Sequence, residues 1–179
     1  MKRFITLEGL HGVGKSTVAE LVAGHLGIKV TPTIPEVFAQ ARKHVNDGES
    51  IEARFMLFLS ATLSAGELIK QMLAEGQNVI VESYIYRTIA FHEGMGSLIT
   101  MQIPDRLFQP THSILLVCDP LNRARRLEER GGLRNRWDAF AETHSDEIMA
   151  RYLAFNFPIV DTTNLKAEQV ASKVLEMIE

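Results

Sequence analysis

Phe4-Ile5-Thr6-Leu7-Glu8-Gly9-Leu10-His11-Gly12-Val13-Gly14-Lys15-Ser16-Thr17 runs from an apolar segment through a glycine-rich turn to a Lys-Ser-Thr triplet. Phe4 to Leu7 has the residue types of a buried strand, and Gly9 to Ser16 matches G-x-x-x-x-G-K-[ST] in full. A helix-forming stretch follows, ending at Gly27. Strand, glycine loop and helix in that order are what a phosphate-binding loop requires. The glycines let backbone N–H groups turn inward around a phosphate chain at a helix N-terminus. In that pattern Gly9, His11, Gly12, Val13, Gly14, Lys15, Ser16 and Thr17 form the nucleotide cradle. Lys15 supplies a point charge to the β- and γ-phosphates, and the Ser16 hydroxyl supplies a ligand for Mg²⁺.

Outward from the loop, short apolar runs alternate with helical stretches. Ile28-Lys29-Val30 reads as a second strand, after which Pro32 and Pro35 break the chain into a loop. Ser50 reads as the N-cap of a long helix closing at Gly76, with Phe55, Phe58, Leu59 and Thr62 at helical spacing. Asn78 to Glu82 and Ser113 to Cys118 read as buried strands. A helix begins near Pro120, and the stretch from Asp138 to Phe155 reads as one helix. Phe157 to Val160 makes a last strand, and Asn164 caps the C-terminal helix. Strands alternating with helices imply a parallel sheet covered on both faces. The expectation is a P-loop, three-layer α/β/α fold with a parallel five-stranded sheet, residues 1–179 forming one domain.

Composition agrees and excludes several alternatives. The 179 residues suit one core, and 46% apolar with 23% charged residues are ordinary globular values. A formal net charge of −3 gives no reason to expect a nucleic-acid partner or a polybasic membrane binder. The longest apolar run, Ile114 to Cys118, falls far short of the ~20 residues of a spanning helix, so no membrane partner is expected. One cysteine, Cys118, and no apolar leader behind Lys2-Arg3 point to the cytoplasm.

An arginine island stands out in this mildly acidic chain: Arg123, Arg125, Arg126, Arg130, Arg134 and Arg136. Arg123, Arg126 and Arg130 share one helical face. Glu/Arg pairs such as Arg125–Glu129 would make it a solvated face. Beside a phosphate loop, a lid that clamps ATP phosphates is the better reading, with Gly131-Gly132 opening a segment at about 131–137. A regulatory GTPase would carry N-K-x-D, which is missing from the chain, so a regulatory P-loop NTPase is the remote alternative.

With these residues in view, the chain resembles the thymidylate kinase family from about Phe4 to Ile178. Phe4 to Thr17 is similar to that family's opening F-I-x-x-E-G-x-D-G-x-G-K-[ST]-T. Val79 to Tyr84 with Thr88 to Phe91 is similar to its strand ending in D-R-[YH] and the helix after it. Arg126 to Arg130 with Arg136-Trp137-Asp138 resembles its arginine-bearing lid, and Tyr152 and Asp161-Thr162 follow its C-terminal layout. The resemblance implies an ATP- and Mg²⁺-dependent kinase whose acceptor is a pyrimidine nucleoside monophosphate. It assigns Glu82 as the Mg²⁺-linked acid, and Arg126, Arg130 and Arg136 as the lid that neutralises charge. Thr162 and Thr163 fall to the nucleotide, and Phe58, Thr62, Glu82, Tyr84 and Arg87 to the acceptor. A homodimer is left open.

Three departures bear on the acceptor. The family's loop Asp is His11 here, and its D-R-[YH] reads Glu82-Ser83-Tyr84. A further family arginine, on the long helix, falls on Thr62. In the family those two arginines hold the acceptor's phosphate, so Arg87 and Arg54 are the available replacements. Ile34-Pro35-Glu36-Val37 is similar to the P-E-P-V segment of deoxynucleoside kinases, whose glutamate takes the proton of the attacking hydroxyl. That makes Glu36 a candidate base, and a nucleoside or another small-molecule hydroxyl the alternative acceptor.

Overall fold

The computed structural model describes residues 2–103, 107–133 and 135–179. Strand β1 (Phe4–Glu8) lies in the middle of the sheet with all five residues buried. On one side it pairs with β2 (Val79–Val81), Phe4 opposite Val79. On the other it pairs with β3 (His112–Val117), Thr6 opposite Ser113, and β4 (Ile159–Asp161) extends the sheet beyond β3. Every pairing is parallel, in the order β2-β1-β3-β4. Parallel neighbours need crossovers, and helices supply them.

The helices are α1 (Lys15–Leu26), α2 (Ala39–Asp47), α3 (Ile51–Ala74), α4 (Ile85–Gly94), α5 (Pro120–Glu129), α6 (Arg136–Thr143), α7 (Ser145–Leu153) and α8 (Ala167–Ile178). Helix α1 packs on α8, while α3, α4 and α7 pack together. Phe4, Ile5, Leu7, Ile80, Leu115 and Leu116 are fully enclosed between these layers. Each such burial contributes about 1.5–3 kcal/mol. The result is the expected α/β P-loop architecture.

Local signals behave as their chemistry dictates. Gly27 ends α1 in the left-handed region at φ 66°. The Ser50 hydroxyl accepts the Ala53 N–H at 3.0 Å and caps α3. Asp119 does the same for α5, accepting from Asn122 at 3.0 Å.

Four expectations are corrected. Ile28-Lys29-Val30 forms no strand among the described residues. Val30 makes one parallel bridge to Ile80, and the described sheet has four strands rather than five. The chain after Pro35 is not all loop, since it turns once in a 3₁₀ segment (Glu36–Phe38) and enters α2. The helix expected from Asp138 to Phe155 breaks at His144 into α6 and α7. At the C-terminus, Lys166 rather than Asn164 is the residue that caps α8.

Candidate active site

The phosphate loop joins β1 to α1. Gly9, Gly12 and Gly14 all have positive φ, 133°, 84° and 98°. Two of them are also sterically required. A Cβ on Gly9 would collide with the Leu116 carbonyl oxygen, and one on Gly12 would lie 2.8 Å from Arg123 Cγ. The loop thus presses on β3 and α5. The N-cap of α1 is Gly14, which has no side chain to cap it, so the first N–H groups of α1 can turn to an anion. Lys15 is only 6% exposed, and its ammonium donates to the carbonyls of Gly9 at 2.9 Å and Leu10 at 2.7 Å.

A cavity of about 880 Å³ opens over this loop. His11, Gly12, Gly14, Lys15 and Ser16 line its phosphate side. The end of β2 brings in Glu82, and α3 and α4 bring in Arg54, Phe58, Thr62, Arg87 and His92. Arg130 lines the lid side. Glu82 and Ser16 therefore face one space. One carboxylate and one hydroxyl suit a cation that takes its other ligands from phosphate oxygens and water, as Mg²⁺ does. The donor set fits that ion.

Other candidate residues have different surroundings. Gly9, Val13 and Thr17 belong to the loop but do not line the cavity. Glu36 is exposed on its 3₁₀ turn and outside the cavity lining, so the base suggested by the Ile34–Val37 segment is not brought to the cleft. Tyr84 lines the cavity but is 1% exposed and largely core. Its ring packs edge-on against Phe4 at 5.1 Å, and its buried hydroxyl has no hydrogen-bond partner among the described residues.

The arginine island divides by partner. Arg123, 4% exposed, forks onto Glu142 with both bonds at 2.6 Å. Arg126 donates to Thr162 Oγ1 at 2.9 Å and to the Thr162 carbonyl at 2.7 Å. Thr162 Oγ1 in turn donates to the Val13 carbonyl at 3.1 Å, and Thr163 Oγ1 accepts the Asp119 N–H. Thr162, held by Arg126, thus braces the phosphate loop at Val13, Thr163 holds the Asp119 N–H, and none of the three lines the cavity. Arg136 lies 3.8 Å from Glu49 with its guanidinium over Trp137, also away from the cavity. Arg134 lies outside the described residues. Of the three expected lid arginines, Arg130 alone lines the cavity.

Residues 7–174 match the family model for thymidylate kinase. The chain belongs to the thymidylate kinase family. A probable thymidylate kinase from Methanococcus maripaludis is 25% identical over 99% of this chain and 96% of its own length. Another, from Caldivirga maquilingensis, is 29% identical over 98% of this chain and 93% of its own. The fold agrees with the solved thymidylate kinase of Candida albicans, at a TM-score of 0.78 and 19% identity over 99% of this chain and 91% of that one. This member of the thymidylate kinase family is an ATP-dependent nucleoside monophosphate kinase rather than a regulatory NTPase.

The electrostatics of this kinase are set by burial. Burial and the nearby Arg87 charge lower the Lys15 pKa to about 7, against the pull of Glu82 and Glu8. Glu8 is fully enclosed, and burial raises its carboxyl to about 7, although it accepts the Tyr84 N–H at 2.8 Å. His92 is buried, its ring stacked on Phe55 at 4.9 Å. Its Nδ1 donates to the Thr88 carbonyl at 2.6 Å, and its Nε2 accepts from Arg54 Nη1 at 2.8 Å. A guanidinium only donates, so His92 is the neutral Nδ1–H tautomer. Burial and Arg54 hold its pKa near 3.

Arg54 is a hub. Its Nε donates to Asn46 Oδ1 at 3.1 Å, and its guanidinium covers Phe58 at 4.5 Å and Trp137 at 5.2 Å. Trp137 Nε1 donates to the Asn46 carbonyl, which ties α6 to α2. Asn46 and Arg42, both lining the cavity, escape the sequence reading because α2 does not show in it. Asp138 also lines the cavity, and only the family pattern around Arg136-Trp137-Asp138 hints at it.

Proposed function

We propose that the acceptor is a pyrimidine nucleoside monophosphate, thymidylate first among them, with its phosphate held by Arg87 and Arg54. One observation carries this reading. Two anchored guanidinium groups share a cavity with the phosphate loop although Ser83 and Thr62 stand where the family has arginines. Each charge-assisted hydrogen bond is worth about 1.5–3 kcal/mol, enough to replace the missing anchors. Phe58 offers a stacking face, and Thr62 and Thr88, hydroxyls 3.3 Å apart, form a polar floor for the base.

Transfer then rests on positioning and charge stabilisation. ATP enters along the loop, and Lys15 exchanges the Gly9 and Leu10 carbonyls for the β- and γ-phosphates. Ser16 and Glu82 would hold Mg²⁺, which supplies positive charge to the phosphate oxygens. Arg130 approaches from the lid and, with Arg87, neutralises the spreading negative charge. An acceptor phosphate oxygen attacks the γ-phosphorus in line, the bond to the β-phosphate bridging oxygen breaks, and ADP departs. The cytoplasm, where ATP and nucleotides meet, is the proposed location, as a monomer or homodimer.

Arg87→Ala tests the reading. Loss of a phosphate-holding guanidinium raises the KM for thymidine monophosphate by at least about tenfold, with the KM for ATP within about threefold. An unchanged acceptor KM, or turnover of nucleosides with none of any monophosphate, overturns it.

A further inference from the structure

His11 occupies an unusual place for an imidazole, inside the phosphate loop with its ring against Arg87 and Phe91 of α4. Its Nε2 lies 2.6 Å from Arg87 Nη2. Since a guanidinium has no lone pair to offer, Nε2 is the acceptor and the ring proton sits on Nδ1. Both groups lean on one ring, Arg87 over Phe91 at 4.5 Å and His11 against Phe91 at 5.1 Å. Arg87 Nε is buried without a hydrogen-bond partner, so the contact to His11 is the hydrogen bond found for this guanidinium among the described residues.

We propose that His11 is a positioning residue that aims Arg87, which forms no ion pair among the described residues, into the gap between donor and acceptor phosphates. The proposal rests on the reading that the acceptor carries a phosphate. A carboxylate at this position could orient the guanidinium equally well, but it would pair off the positive charge and repel phosphate. A neutral acceptor orients without neutralising. The substitution of His11 for an acid and the loss of the arginine at Ser83 are thus two halves of one rearrangement. Arg87 moves into the role, and the loop loses the negative charge that would have blunted it.

The groups facing His11 are consistent with a neutral ring. Arg87, Lys15, Arg123 and Arg130 all oppose its protonation, and burial opposes it most, holding the ring near a pKa of about 2. Asp138 Oδ1, on the lid side, lies 3.8 Å from the same Nε2. Asp138 is thus an acid close to the ring, and its charge also acts on Arg54.

Two measurements decide the matter together. In the first, His11→Gln, His11→Phe and His11→Glu are compared with wild type using ATP and thymidine monophosphate. Gln places an amide oxygen near the Nε2 position, and Phe leaves no acceptor. Glu restores the bond but compensates the charge. The acceptor KM rises about tenfold or more in Phe and Glu and stays within about threefold in Gln, whereas the ATP KM, to which this loop position contributes its backbone N–H and not its side chain, changes equally in all three. An unchanged acceptor KM in His11→Phe, or a Glu variant as good as Gln, overturns the proposal.

In the second, ¹⁵N NMR of the His11 ring is followed in wild type and Arg87→Ala without any acceptor. Wild type keeps the neutral Nδ1–H tautomer from pH 5.5 to 8 (roughly the window in which a free imidazole titrates), and Arg87→Ala shifts the ring's protonation upward. A wild-type ring that titrates like a free imidazole removes the contact itself. Should wild type phosphorylate no monophosphate, the acceptor reading fails and the proposal with it. The NMR result then still states whether the His11–Arg87 contact exists.

Discussion

Arg54→Ala is the perturbation with the most to reveal. The side chain donates to Asn46 at 3.1 Å and to His92 at 2.8 Å and covers Phe58 and Trp137. Its removal leaves Nε2 of His92, a residue 2% exposed, without a donor. Orphaning such an acceptor costs about 1–3 kcal/mol, and losing the partly desolvated stacking adds about 0.5–2 kcal/mol. These terms overlap, so a total of about 2–4 kcal/mol is expected, with a fall in Tm of roughly 5–15 °C. Activity carries a separate signature, an acceptor KM raised about tenfold or more at a nearly constant ATP KM. His92→Phe and the double variant complete a thermodynamic cycle by denaturant unfolding. Coupling of about 1–3 kcal/mol between the two sites is expected, because the double variant has no orphan. Additive single effects, or an Arg54→Ala protein with unchanged Tm and acceptor KM, would show that Arg54 neither satisfies His92 nor holds the acceptor.

Other consequences follow from the same contacts. Lys15→Ala abolishes turnover while the far-UV circular dichroism stays that of wild type. With Lys15 and Glu8 both near a pKa of 7, ATP binding takes up protons, since phosphate charge raises both values, and calorimetry in buffers of different ionisation enthalpy measures the uptake. Without nucleotide the sign runs two ways. The raised Glu8 contributes stability below about pH 4.5 that is lost as pH rises through about 7, and the depressed Lys15 contributes stability above about 10.5 that is lost as pH falls through about 7. Their joint contribution is therefore lowest near neutrality, which thermal melts across pH will detect. Arg130→Ala lowers kcat with little change in Tm, whereas Arg126→Ala, which releases Thr162, lowers Tm. Gly66→Ala drives a Cβ into the Tyr84 hydroxyl and destabilises the fold, and adding Tyr84→Phe, which deletes a buried hydroxyl without a partner, relieves it.

The legible parts of this chain are those whose chemistry is local. The Phe4–Thr17 stretch carries strand, loop and helix in consecutive residues, and Ser50 caps the next residues along. Helix α2 escaped because Pro32 and Pro35 signal a break and nothing in Ala39–Asp47 shows an apolar face, its residues being half-buried or exposed. Of Ile28–Val30, Val30 alone bridges to β2, because the Ile28 N–H is taken by the Ala23 carbonyl at the end of α1. At the site, Lys15, Ser16, Glu82, Phe58, Thr62, Arg87 and Arg130 reach the cavity, as motif and resemblance suggest. The arginine island could not be divided from sequence, since its members are told apart by Glu142 and Thr162, partners distant along the chain. His92 and Arg54 are likewise joined only by the packing of α4 on α3.

Whether the acceptor enters already phosphorylated is decided by one competition. Thymidine and thymidine monophosphate are supplied in equal amounts with limiting ATP and Mg²⁺, and the products are resolved by ³¹P NMR. Signals of thymidine diphosphate and ADP, with thymidine untouched, are the predicted result. Conversion of thymidine to its monophosphate, with no diphosphate formed, would contradict it.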